Sequence, residues 1–159
     1  MMKITVQPFK LPMRTRNVCY IATVEKRADK TEEYIIDIER LPSQFHEIFA
    51  GDYSPHTLQN DFYLFNFYTL EAVMTDSPLF SPGKEMNFSW LELKEFMLKA
   101  VGGAITDFVA KYAPQAVVAI PVRPGLGKLY DEVLSENEQN SGYHYVSKYR
   151  EWGIYVIET

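Results

Sequence analysis

The chain has 159 residues, 47% of them hydrophobic and 23% charged, with a formal net charge of −5. That is enough for one domain with a real core, and the acidic balance gives no general pull toward DNA, RNA or anionic lipid. One cysteine, Cys19, excludes an internal disulfide framework, and no run approaches the roughly 18 apolar residues of a membrane-spanning helix.

The opening MMKITVQPFKLPM lacks the apolar core and small-residue cleavage site of a signal peptide. With a single thiol, this leads to the expectation of a cytoplasmic protein with no membrane partner. The basic clusters Lys10, Arg14, Arg16 and Lys26, Arg27, Lys30 are too short for a nucleic-acid footprint, so no nucleic-acid partner is expected. Residues 17–25, NVCYIATVE, alternate Val18, Tyr20, Ala22 and Val24 against Cys19, Ile21 and Thr23, the pattern of a strand. After the polar turn KRADKT, residues 32–39 form its hairpin partner, with Tyr34, Ile36 and Ile38 on one face. Asp37 and Glu39 share the other face and read as solvated carboxylates.

Ser43 is placed to cap a short helix through Phe49 that Gly51 ends. Residues 61–69, DFYLFNFYT, are a third strand, aromatic on both faces and so covered on both. Residues 71–87 carry Pro78, Pro82 and Gly83 and read as loop. Ser89 with Glu92 is a capping box. Beyond it Leu93, Phe96, Met97, Ala100, Val101, Ala104, Ile105, Phe108, Val109 and Tyr112 recur at helical spacing until Pro114. Gly102 and Gly103 inside this run point to close packing or a bend. Residues 116–120, AVVAI, have the continuous apolar character of a buried parallel strand. Leu126, Leu129, Tyr130, Val133 and Leu134 then make one helical stripe, and two short strands across Arg150 and Glu151 close the chain. The expectation is a single α/β domain, residues 1–159. It has a mixed, mostly antiparallel sheet, a long crossover helix (89–112), a second helix (126–136) and a C-terminal β-hairpin.

The stretch VRPGLGKLYDEVL, residues 122–134, raises the question of function. Glycines between a strand and a helix can cradle a phosphate, because backbone N–H groups reach the anion unobstructed by Cβ. Gly125 and Gly127 meet that local condition, with Arg123 and Lys128 alongside. Yet Tyr130 stands where the dinucleotide fingerprint needs its third glycine, and the Walker A spacing is missing. The bland alternative is a tight turn that starts a helix.

From about residue 60 onward, the succession strand, long helix, strand, LYDEVL, turn, GYHYV resembles the second half of a GCN5-related N-acetyltransferase (GNAT) fold. In that family a helix carrying Leu-Tyr follows the fifth strand and a Gly-aromatic pair opens the next. The matching residues are Leu129, Tyr130, Gly142 and Tyr143. Two registers compete. If Arg123, Gly125 and Gly127 form the acyl-CoA pyrophosphate loop, too little chain follows to complete the fold. If the 89–112 helix follows the cofactor loop, every element has a place, and this register is adopted. The pyrophosphate loop is then residues 71–89, with Gly83 as its one glycine.

The resemblance thus implies a GNAT-like fold with a degenerate cofactor loop and no cofactor. It suits a non-enzymatic interaction or accessory protein, such as phages and mobile elements carry, or a subunit of a homo-oligomer. The alternative it implies is a divergent N-acyltransferase using acetyl-CoA, with Glu71 as general base and Tyr130 as the acid that protonates the leaving thiolate. Tyr130 also reads as a core ring on a helical stripe. His46, His56 and His144 are too scattered for a metal site, Cys19 reads as a buried structural thiol, and Trp90 and Trp152 as packing residues.

Overall fold

The computed structural model describes residues 2–12, 16–27, 29–74, 86, 88–121 and 124–159. Its strands are β1 (Lys3–Phe9), β2 (Val18–Arg27), β3 (Lys30–Arg40), β4 (Phe62–Thr69), β5 (Ala116–Ala119), β6 (His144–Val146) and β7 (Tyr155–Glu158). Its α-helices are α1 (His46–Phe49), α2 (Pro55–Asn60), α3 (Leu70–Met74), α4 (Trp90–Phe96), α5 (Gly102–Tyr112) and α6 (Pro124–Ser141). The strands form one mixed sheet in the order β1-β2-β3-β4-β5-β7-β6. The β4–β5 pair is parallel, whereas β1–β2, β5–β7 and β6–β7 are antiparallel. This is the expected α/β class. No helix among the described residues is long and apolar enough to cross a membrane. Contacts gather into two compact units, Met1–Asp37 with Asn66–Asp107 and Ile38–Phe65 with Phe108–Thr159.

In the first unit, β1 was not foreseen. Its Ile4 and Val6 alternate with Thr5 and Gln7, but Pro8 masks the pattern, because proline gives no ladder N–H and is tolerated only at an edge. β1 pairs along its whole length with β2, from Lys3↔Glu25 to Phe9↔Cys19. The strand β3 is buried on both faces from Tyr34 to Ile38, which places Asp37 at 2% exposure rather than in solvent. The segment read as loop begins with helix α3; residues 75–85 and 87, including Gly83, lie outside the described residues.

The capping box forms as expected: Glu92 N–H donates to Ser89 Oγ at 3.1 Å, and Ser89 N–H to Glu92 Oε1 at 2.9 Å. α4 does not run directly into α5. A π-helical turn, Met97–Val101, joins them, and the Gly102 N–H reaches back five residues to the Met97 carbonyl. A Cβ on Gly102 would lie 3.3 Å from that carbonyl oxygen, and one on Gly103 would touch the Val6 side chain at 3.6 Å. The paired glycines therefore serve the π turn and the seat of the helix on β1.

In the second unit, Ser43 does not cap. A 3-10 turn, Ser43–Phe45, leads into α1, and the capping hydroxyl is Ser54, which accepts from Thr57 N–H at the start of α2. Leu41, Phe49, Leu58, Phe62, Leu64, Val118, Tyr149 and Val156 build the core here. Asp61 O accepts the N–H groups of Gln115 and Ala116 and fixes the start of β5. Parallel pairing then covers Phe62–Leu64 against Ala116–Val118, while β4 continues to Thr69.

The long helix ends at Tyr112. Ala113 takes φ 46°, a left-handed conformation usual for glycine, and Pro114 prevents continuation. Tyr112, assigned to the buried stripe, is 52% exposed and stacks on Phe108. The closing hairpin is joined by a 3-10 segment, Ser147–Trp152, that Gly153 ends at φ 72°.

Phe108 is fully buried, edge-on to Tyr63 with centroids 4.8 Å apart. Phe108→Ala is expected to cost about 3–5 kcal/mol in urea unfolding. A loss below about 1 kcal/mol would show that the helix buries a different face.

Candidate functional site

Helix α6 starts at Pro124, earlier than position 126, and ends at Ser141 rather than near 136. Both glycines of the VRPGLGKLYDEVL stretch, Gly125 and Gly127, therefore lie inside its first turns. Positive φ is confined, among the described residues, to Ala113, Gly142 and Gly153, so neither Gly125 nor Gly127 makes a left-handed turn. Their roles differ. A Cβ on Gly125 would meet nothing within 4 Å among the described residues, whereas a Cβ on Gly127 would lie 2.7 Å from the Tyr155 hydroxyl oxygen. Gly127 is thus needed for a close helix–strand approach. Arg123 lies outside the described residues.

One turn further on, Tyr130 is 6% exposed, with Phe65 and Tyr155 edge-on at 5.9 and 5.8 Å. Burial pushes its pKa above the ordinary phenol value. Such a group keeps its proton, as a general acid should at rest, but its ring is enclosed by aromatic carbon. Gly142, at φ 72°, ends α6, and the following Tyr143 hydroxyl donates back to the Leu134 carbonyl at 2.9 Å. In this chain the Gly-aromatic pair is a helix stop with a tether.

The start of α4 is the place where the adopted register puts an anion. There Glu92 Oε1 accepts from Ser89 N–H and stands 3.1 Å from Lys26 Nζ, and the same ammonium donates to the Met86 carbonyl at 2.7 Å. The Ser89 N–H first, and Lys26 next, hold the Glu92 carboxyl below the usual carboxylate range. The partial positive charge of this helix end is therefore already met by a carboxylate of the protein.

Glu71 is exposed on α3, in the first unit, and lines an open cleft of about 490 Å³ with Thr23, Thr31, Glu32, Glu33 and Leu70. Tyr130 belongs to the second unit. The carboxylates make the cleft hospitable to a cation such as a protonated amine.

The histidines do not converge: His46 Nε2 is 3.0 Å from the Leu41 carbonyl, His56 lies against Asn60, and His144 against Glu138. No group of three metal-binding side chains occurs among the described residues. Cys19 is buried, its Sγ 3.6 Å from Asp37 Oδ1. Asp37 also accepts from Asn17 Nδ2 and the Tyr68 hydroxyl, both at 2.8 Å, forming a buried polar cluster that was not anticipated. Its signal was available, since an acid inside YIIDI can hardly be solvated on a strand covered on both faces. Trp90 and Trp152 are 39% and 64% exposed, so neither is a core residue. The Tyr34 hydroxyl, edge-on to Phe96, is buried with no hydrogen-bond partner among the described residues.

No protein-family model matches this chain, and neither does any curated protein or solved structure.

Two substitutions separate the roles of the glycines. Gly127→Ala should destabilise by about 1–3 kcal/mol through the clash with Tyr155. Gly125→Ala should stabilise by up to about 1 kcal/mol, because alanine favours a helix and meets no neighbour. Urea midpoints read both, and equal effects would contradict the close-approach assignment. Tyr34→Phe removes a buried hydroxyl that has no partner among the described residues and should raise stability by about 1 kcal/mol; a loss of that size would reveal a partner for the hydroxyl.

Proposed function

We propose that this chain has a GNAT-like fold and works as a non-enzymatic interaction protein, of the accessory kind carried by phages and mobile elements. The fold part rests on the succession β4, α4–α5, β5, the Leu129–Tyr130 helix, Gly142–Tyr143 and two closing strands, the order the resemblance calls for. The observation that carries the functional part is the occupied start of α4. An acyl-CoA pyrophosphate arriving there meets the Glu92 carboxylate where it needs free N–H donors, and Lys26 is already engaged by Glu92 and Met86. The enclosure of Tyr130 supports the same reading, because a general acid must touch the sulfur it protonates. Leu91 at 76% and Leu98 at 44% exposure lie seven residues apart on the long helix and offer apolar surface for a protein contact.

The acyltransferase reading keeps one specific support, the exposed Glu71 on a cleft it shares with Glu32 and Glu33. A general base there would face an amine substrate drawn in by the acids.

Thermal melting with acetyl-CoA decides between them. The expected result is an unchanged melting temperature and no release of free thiol in the presence of amines. A ligand at 100 times its Kd stabilises by about 2.7 kcal/mol, which is several degrees for a chain of this size. A shift of that kind overturns the non-enzymatic reading. In that event Glu71→Gln should abolish turnover while leaving the shift intact.

A further inference from the structure

We infer that the outer edge of β1 is a self-association surface that takes the same strand of a second copy. The inference does not depend on what the start of α4 binds. The strand order ends at β1, and no strand pairs with its outer side among the described residues. Proline has no N–H, so the Pro8↔Tyr20 pair in the ladder must be closed by its neighbours Gln7 and Ile21 exchanging both of their hydrogen bonds. It follows that the odd-numbered residues of β1 bond to β2. Ile4 and Val6 direct their N–H and C=O groups outward.

Natural edge strands are usually guarded by a charge, a bulge or a proline within the exposed segment. Here Ile4 to Phe9 carries no charge, Lys3 stands at the start, and Pro8, which also faces outward, follows Ile4 and Val6 and leaves both of their N–H groups free of it. The segment is complementary to itself. With a second copy antiparallel and the two-fold axis at Thr5, Ile4 lies opposite the partner's Val6 and exchanges two hydrogen bonds with it. Val6 does the same with the partner's Ile4. All the outward N–H and C=O groups of both residues are then met, and neither faces proline. Any register that puts Ile4 opposite proline leaves its carbonyl without a donor. The side chains agree with this choice. The half-buried, β-branched Ile4 and Val6 face each other, the exposed Thr5 meets the partner's Thr5, and Lys3 meets the partner's Gln7. No like charges oppose, although each copy carries a net charge of −5. An unrelated extended peptide could use the same backbone groups, but it would not need this symmetry about Thr5.

Cysteine placement reads the register. Paired across the axis without direct hydrogen bonds, the Thr5 positions should have Cα atoms about 4.5 Å apart, within disulfide reach. Under mild oxidation Thr5→Cys should give a covalent dimer, whereas Gln7→Cys, facing Lys3 of the other copy, should not; the native Cys19 is buried. Sedimentation of the wild-type chain at about 100 μM should show a dimer, and Thr5→Lys, an exposed change that opposes two ammonium groups, a monomer with unchanged circular dichroism. A monomeric wild type at that concentration overturns the inference. So does a Thr5→Cys variant that fails to link, or a Gln7→Cys variant that links as readily.

Discussion

A tyrosine ring enters a protein core cheaply only when its hydroxyl keeps an acceptor, and much of this structure is arranged around that condition. In the first unit the Tyr20 hydroxyl donates to Asp107 at 2.6 Å and that of Tyr68 to Asp37 at 2.8 Å. In the second, Tyr53 donates to Glu158 and Tyr145 to Asp131, both at 2.6 Å, and Tyr149 donates to Asp52. Most of these pairs join residues far apart in the chain, so each one ties distant segments while it admits an aromatic ring. The acidic balance of the sequence is in part this supply of acceptors. It also draws in cations. Lys148 shares Asp52 with Tyr149, and Arg150 shares Asp131 with Tyr145, so the 3-10 segment that joins β6 to β7 is held by carboxylates on either side of its buried Tyr149.

The same self-sufficiency bears on function. A helix start is a ready anion site only while its N–H groups and nearby cations are uncommitted. At the start of α4 the Ser89 N–H and the Lys26 ammonium are engaged by Glu92, and in α6 Gly127 lies close against the Tyr155 hydroxyl. The exposed features are of another kind: apolar side chains on the long helix, an acidic cleft beside Glu71, and a sheet edge free of charge between Ile4 and Phe9.

Periodicity made most of the architecture legible. The capping box, the long apolar helix, the buried AVVA strand and the β2–β3 pair could all be read because each repeats one physical rule over several residues. What escaped was local or tertiary. Pro8 disguised an edge strand that is regular on either side of it. The π turn came from glycines whose spacing shows that something unusual happens but not what. The helix at 124–141 was cut short because its polar final turns lack an apolar stripe. The site was less legible than the fold. A G-x-G pair looks the same whether it makes room for a phosphate or for a phenol ring, and only the neighbour, Tyr155, distinguishes them. Asp37 could have been recognised as buried from its neighbours, but its partners Asn17 and Tyr68 could not, since nothing in their order brings them together.

Sheltering so many phenols has a consequence at the alkaline end of the pH scale. Burial, reinforced by neighbouring carboxylates, raises the pKa of Tyr53, Tyr145, Tyr149 and Tyr155, while burial alone does so for Tyr130 and pushes Tyr143, with help from Glu138, up to about 12. The folded chain therefore keeps protons that an unfolded chain releases near pH 10. What these groups contribute to stability is fully present below that pH and is lost as pH rises through the elevated folded values. Between about pH 10 and those elevated folded values, a phenolate signal from these side chains is expected to follow the opening of the fold.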